Sequence, residues 1–349
     1  VVRGPSYAVM QRRSARLVQQ CADLGADKLR LLRWEQYDGM VAAQPLAPSD
    51  FMQSRSFLSE TGVLARTTIY SASTLQMRDG VPFGFSGSTP ILITTRGQTS
   101  GRHFGWFGKT GAGKGFSVRT YLARRHFADR LRLFMWDSDD MHNEYAGRFC
   151  DFLEGVRLRL NSLEDVQNVR LDPLWQVVAF DVSLMPHELQ PRAFAMVKSL
   201  VEQHILTFPG ETAMLVDEAT AITEHLDQSG ALALGNAVQT WRKRGVEVHI
   251  LTQRVTDWFG TAIGRKIQGN LSVKWYGAQE DTEITEITRR ANLSPEEAER
   301  IATAGTGQGV LIAFGRRVWA DLYGHCSPDE YAAYHTDPPE SAFRIQDIA

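Results

Sequence analysis

The sequence predicts an open α/β sheet, mostly parallel, with an antiparallel hairpin at one edge. Three observations predict it. From residue 91 onward, short apolar runs alternate with stretches of helical periodicity, the pattern of parallel strands joined by crossover helices. The last two apolar runs are separated only by a short Gly-Arg turn and therefore read as antiparallel. A glycine-rich turn, "GKTGAGK", directly follows one strand and opens a helix. Sheets of this kind bind ligands beyond the carboxyl ends of their strands.

At 349 residues the chain suits one large or two modest domains with a substantial core. Hydrophobic residues make up 43% and charged residues 22%, and the net charge is −2, so the chain as a whole is not a polycation built to coat nucleic acid. A local basic patch stays open. Cys21, Cys150 and Cys326 are far apart and share no metal-ligand spacing, which reads as reduced thiols in a cytosolic protein. No apolar run approaches the roughly 20 residues of a membrane-spanning helix. The chain begins at Val1 and carries no signal-peptide pattern, so it reads as a piece of something longer, with membrane contact supplied by other sequence or by a partner.

Residues 6–45 lean towards helix, broken near Gly25 and Gly39, and residues 46–90 are mixed and rich in Ser, Thr and Gly. Strands are expected at 91–95, 103–108, 131–137, 175–182, 212–218, 246–253, 271–276, 309–315 and 317–323. Helical patterns fall at 114–127, 187–206, 231–244, 280–291, 294–303 and 327–335, with Ser294, Pro295 and Glu297 marking one start as a capping box. Residues 1–90 then lead into a domain at 91–338, and 339–349 form a tail.

The stretch Gly108, Lys109, Thr110, Gly111, Ala112, Gly113, Lys114, Gly115, Phe116 is a phosphate-binding loop with one irregularity. Its glycines allow the tight turn that aims main-chain N–H groups inward, and the helix N-terminus adds positive potential. Lys114 would reach the β- and γ-phosphates. Glycine-rich turns also join strands to helices without any nucleotide, but Gly113-Lys114 in register argues for one. Gly115 stands where a serine or threonine would hold magnesium. Ser117 lies on another face of the helix and does not replace it. Weaker metal affinity follows, and turnover is left open.

The run "TAMLVDEATAI" ends a strand in Asp217-Glu218. Asp217 would orient magnesium through water and Glu218 would polarise the attacking water; the plain alternative is an acidic helix start. The run "VEVHILTQ" places Gln253 at a strand end, where it would sense the γ-phosphate or simply be solvated. Arg242, Lys243 and Arg244 close a helix, where cations suit the dipole; alternatively an arginine here reaches a neighbouring subunit's nucleotide. Asp137 ends a strand near the phosphate end of the sheet, while Asp139, Asp140 and His142 fit no standard metal site and read as a polar loop.

Taken in order, "FGKTGAGKGFSVR", "FMWDSDDMHNEYAGRF", "VAFDVSLM", "AMLVDEATAI", "WRKRGVEVHILTQRVTDWF", "GRKIQGNLSVKWYG" and "GTGQGVLIAFGRRVWADLYGHCSPDEYAAYHTD" resemble the carboxyl-terminal motor domain of the large conjugative-transfer and type IV secretion ATPases (VirB/TraC-type), in the HerA/FtsK-like branch of RecA-type motors. The resemblance spans about residues 30–338 and is most specific at "RKRG…LTQ…D" and at the "GQG" before the closing hairpin. It implies a RecA-like P-loop NTPase core with a small helical subdomain inserted about 187–206 and also 280–303. It also implies ATP and Mg2+ as ligands, self-association into hexamers or dimers, and a cytoplasmic position peripheral to the bacterial inner membrane. By the same resemblance Lys114 is the phosphate lysine, Asp217 and Glu218 the acidic pair, Gln253 the sensor, and Arg242 or Arg244 the basic motif. Expected partners are other type IV secretion components and a DNA or protein substrate. Two alternatives stand beside this reading: a DNA-pumping translocase or coupling ATPase of the same branch, and a nucleotide-responsive assembly module that hydrolyses little because of Gly115.

Overall fold

The structure is a computed structural model, and it describes residues 75–335 except 88, 99–100, 139–146, 224–226 and 323–325, together with 9, 11–13 and 15. The chain divides after residue 72, and the sheet with its covering helices belongs to the second unit, Ser73–Ala349. The helix-leaning stretch 6–45 and the loop residues Asp139, Asp140 and His142 lie outside the described residues, apart from those five positions.

The sheet has 11 strands: β1 Val81–Ser86, β2 Thr89–Ile93, β3 His103–Phe107, β4 Arg132–Asp137, β5 Val156–Arg159, β6 Val177–Asp181, β7 Thr212–Val216, β8 Val246–Thr252, β9 Leu271–Gly277, β10 Gln308–Ala313 and β11 Arg316–Asp321. Their order is β2-β1-β11-β10-β9-β3-β8-β7-β4-β6-β5. From β9 to β5 every pairing is parallel. From β9 to β2 every pairing is antiparallel. The expected hairpin is therefore part of a wider antiparallel edge, because β1 and β2 pair with each other and β1 joins β11.

Parallel strands must be covered on both faces, so they read as continuous apolar runs. In β4, Leu133 and Met135 enter one core cluster while Phe134 and Trp136 enter the other. The same period of two divides Ala213 and Leu215 from Met214 and Val216 in β7. One face is covered by α1 (Lys114–Asp129), which buries Phe116, Val118, Tyr121 and Leu122, together with α2 (Arg148–Phe152). On the other face lie α3 (Leu163–Asn168) and α4 (Gln190–Thr207), the latter through Phe194, Val197 and Val201. The short α5 (Thr220–Thr223) and then α6 (Ser229–Thr240) follow on that face.

The segment 187–206, where an inserted subdomain is expected, is the crossover between β6 and β7, and α4 buries its apolar side in the core under the sheet. After β8 come α7 (Val255–Gly260) and α8 (Ala262–Gln268). Between β9 and β10 stand α9 (Asp281–Ala291) and α10 (Pro295–Ala302), the latter opened by the expected Ser294–Glu297 capping box. They place Ile284, Ile287 and Ile301 in the same core cluster. The described part of the chain ends with α11 (Pro328–Tyr334), which packs on α1 and α2.

Candidate nucleotide site

Because β8 lies between β3 and β7, the carboxyl ends of these three strands bring together the loop after β3, Gln253 after β8, and Asp217-Glu218 after β7. The loop is held from both sides. Lys109 N–H donates to Ala278 O at the end of β9 (2.8 Å), and Gly108 N–H points at Thr252 O (3.4 Å). Gly111 and Gly113 have φ of 77° and 87°, a region that side chains disfavour. A Cβ on Gly113 would also lie 2.9 Å from Gly307 N.

Gly307 N–H donates to Ala112 O (2.9 Å) and Thr306 Oγ1 to Gly111 O (3.2 Å). This gives the "GTGQG" stretch a physical task. It is a second wall of the phosphate loop, carried on the edge hairpin.

Lys114, the first residue of α1, has its Nζ donating to Gly108 O (2.6 Å) and Lys109 O (3.1 Å). Burial pushes its pKa below the usual lysine value, while Asp217 and Glu218 pull the other way. No acidic residue occupies the first turn of α1 and no side chain caps it. The amides there keep the positive potential that an anion would meet.

One chain of hydrogen bonds connects the loop to the acidic pair. Thr110 Oγ1 donates to Gln253 Oε1 (2.7 Å), and Gln253 Nε2 donates to Glu218 Oε2 (2.9 Å). Glu218 also accepts from Thr220 Oγ1. Its backbone sits at φ 45°, fixed by Glu218 N–H donating to Asp217 Oδ1 (2.9 Å) and by Ala219 N–H donating to Leu251 O (3.0 Å). The other oxygen of Asp217 faces the Arg119 guanidinium at 3.8 Å, and Asp137 Oδ2 faces the same group at 3.6 Å.

Other expected residues fall elsewhere. The Phe116 ring is buried against Tyr331 (5.5 Å) and Tyr334 (5.9 Å) of α11, so only its main chain belongs to the loop. Arg242 and Arg244 stand before Val246, where β8 begins, whereas Gln253 follows its end. Seven residues of strand, about 23 Å, separate them from this chain's own loop. Arg244 is paired with Glu202 at 2.6 Å.

The residues do not fit a directly ligated magnesium ion. Gly115 has no hydroxyl, and Ser117 Oγ is buried in α1 without a hydrogen-bond partner. The carboxylates at the ends of β4 and β7 face a guanidinium. Among the described residues no group of three His, Cys, Asp or Glu side chains is placed to hold a metal. Arg119 and Thr306, which border the loop and the acidic pair, carry no motif, and Gly307 opens the "GQG" run that the sequence marks without giving it a role. The signal for Arg119 was available, since it stands four residues after Gly115 and so on the same helix face.

A central parallel sheet with a phosphate loop after β3 and an acidic pair two strands away defines a RecA-like P-loop α/β domain. The chain shares its fold with VirB4 of Thermoanaerobacter pseudethanolicus, at a TM-score of 0.63 and 16% identity over 74% of this chain and 100% of that one. This is the fold that the sequence resemblance implies. Weaker likenesses are to B204, the DNA-packaging ATPase from Sulfolobus Turreted Icosahedral Virus (TM-score 0.47, 17% identity, 64% of this chain and 98% of that one), and to the cytoplasmic domain of the Thermomonospora curvata Type VII Secretion ATPase EccC (TM-score 0.47, 14% identity, 81% of this chain and 33% of that one). No protein-family model and no curated protein sequence matches the chain. Among the described residues no helix is long and apolar enough to cross a membrane.

Proposed function

We propose that this chain binds and hydrolyses ATP as the motor domain of a type IV secretion or conjugative-transfer machine. The observation that carries the catalytic part is the hydrogen-bonded path Thr110–Gln253–Glu218, which joins the phosphate loop to the acidic pair through one amide side chain. Main-chain N–H groups of the loop and the Lys114 ammonium hold the phosphates. Glu218 accepts a proton from the attacking water, and Gln253 holds that carboxylate in place. Loss of the γ-phosphate changes what the loop offers Thr110, and Gln253 passes that change to Glu218.

The secretion role rests on the motif resemblance and on the fold shared with VirB4. In this reading the chain assembles as a hexamer or dimer at the cytoplasmic face of the inner membrane, beside other secretion components. Arg242 then serves a neighbour's nucleotide rather than its own, an assignment that its distance from the loop supports.

Phosphate release by Lys114→Ala and Glu218→Gln tests the catalytic assignment. Lys114→Ala is expected to lose nucleotide binding. Glu218→Gln is expected to keep binding and to lose turnover by about 10²-fold or more, the usual contribution of a general base. Turnover unchanged in both variants would remove the assignment. Stimulation by double-stranded DNA that falls steeply with salt would move the reading to a DNA translocase.

A further inference from the structure

Arg119 is 4% exposed and lies at the carboxyl ends of β4 and β7, between Asp137 (3.6 Å) and Asp217 (3.8 Å). Both separations exceed hydrogen-bonding distance, so the pairing is one of charge. Glycine at position 115 leaves the guanidinium room in this place. A Cβ there would stand 3.1 Å from Arg119 Nη1 and 3.8 Å from Cζ, and a hydroxyl would add a further atom beside the same group. A helical side chain leans back over the preceding turn, so an arginine at position 119 covers position 115. The missing hydroxyl and the buried arginine are therefore one feature: glycine makes the room and the guanidinium fills it.

Charge points the same way. In sites with a hydroxyl after the loop lysine, a divalent ion lies between that hydroxyl, a strand-end carboxylate and the β- and γ-phosphates. Here the strand-end carboxylates already face a permanent cation whose planar fork suits phosphate oxygens. Asp137 and Asp217 would otherwise repel both each other and an incoming polyphosphate.

We propose that the Arg119 guanidinium is the resident cation of the phosphate site, standing in for a divalent ion, so that this chain binds nucleoside triphosphate with little dependence on magnesium. The proposal rests on the nucleotide reading above and adds to it the means by which Gly115 is tolerated.

Equilibrium titration of the whole chain with a fluorescent N-methylanthraniloyl-ATP, in EDTA and in excess magnesium chloride, tests it. The two wild-type affinities are expected to agree within about threefold. Arg119→Met is expected to weaken binding in EDTA by about tenfold or more, the size of one hydrogen bond to a charged group. The double variant Gly115→Ser/Arg119→Met restores a hydroxyl without the guanidinium and is expected to bind tightly only with magnesium. Arg119→Lys, which keeps the charge between the two carboxylates, is expected to retain most of the EDTA affinity and carries the test if Arg119→Met unfolds. Wild-type binding that falls tenfold in EDTA would overturn the proposal and leave the nucleotide reading standing, as would an Arg119→Met protein that binds like wild type in EDTA. No binding in either buffer would remove both.

Discussion

Replacing Glu247 by glutamine removes one charge from a pair at the centre of the sheet. Glu247 and Arg125 are both 0% exposed and 2.8 Å apart. The other partners of Glu247 are the Thr95 hydroxyl and His249 Nε2 at 3.0 Å. Because Trp106 Nε1, a donor only, points at His249 Nδ1 (3.3 Å), the imidazole proton lies on Nε2 and is donated to Glu247.

Burial alone would raise the Glu247 pKa. Arg125, His249 and Thr95 outweigh it and hold the group at about 2, against an ordinary 4.5. That difference corresponds to about 3 kcal/mol, close to the roughly 3–5 kcal/mol lost when a buried pair is broken from one side. Glu247→Gln is thus expected to lower the melting temperature by about 6–20 °C for a domain of this size. Differential scanning calorimetry measures it. Glu247→Gln/Arg125→Met should recover much of the loss, because no lone charge is then left buried. A loss below about 1 kcal/mol, the worth of an exposed pair, would refute the claim that this pair is desolvated.

Acid should act on stability in two stages. Burial lowers His103 to about 4, and it lowers His249 as well, so the unfolded chain takes protons that the fold refuses. Stability should decline as pH falls from 6.5 towards about 4. The depressed Glu247 adds a second loss as pH falls from 4.5 towards about 2. Urea midpoints across that range check both, and a flat profile down to pH 4 would contradict the histidine assignment. Gly113→Ala should abolish nucleotide binding without unfolding the sheet, since its Cβ would meet Gly307 N at 2.9 Å in a backbone at φ 87°. Binding within about threefold of wild type would show that the loop can relax.

Most of the parallel sheet was legible because its strands are buried on both faces and so announce themselves as apolar runs, such as "LFMW" in β4 and "AMLV" in β7. β1 was not, because "VPFGFS" carries Pro82 and Gly84 and belongs to the antiparallel edge, where packing rather than periodicity makes the strand. β5, four residues reading "VRLR", is an edge strand with no fully buried position and leaves no apolar signature.

At the site, the glycine-rich loop singled out Lys114, and residue type at strand ends singled out Asp217, Glu218 and Gln253; the fold brings these four residues to one end of the sheet. Strand order, which motifs do not encode, is what seats Gln253 between the loop and Glu218. Phe116 was assigned to the ligand on position alone, and the helix turns its ring into the core. Arg119 escaped because a basic residue in a helix carries no motif. Its meaning lies in the space that Gly115 leaves.

Glu218 sits at φ 45°, a conformation that costs a side-chain-bearing residue about 1–2 kcal/mol and that glycine would adopt freely. This position is therefore a poor one for fold stability and a good one for aiming a carboxylate. Glycine here would relieve that strain but would give up the bonds from Gln253 and Thr220 and, in the proposed reading, the general base. Under the proposed function, the strain at this one residue is what aims the carboxylate beside Gln253.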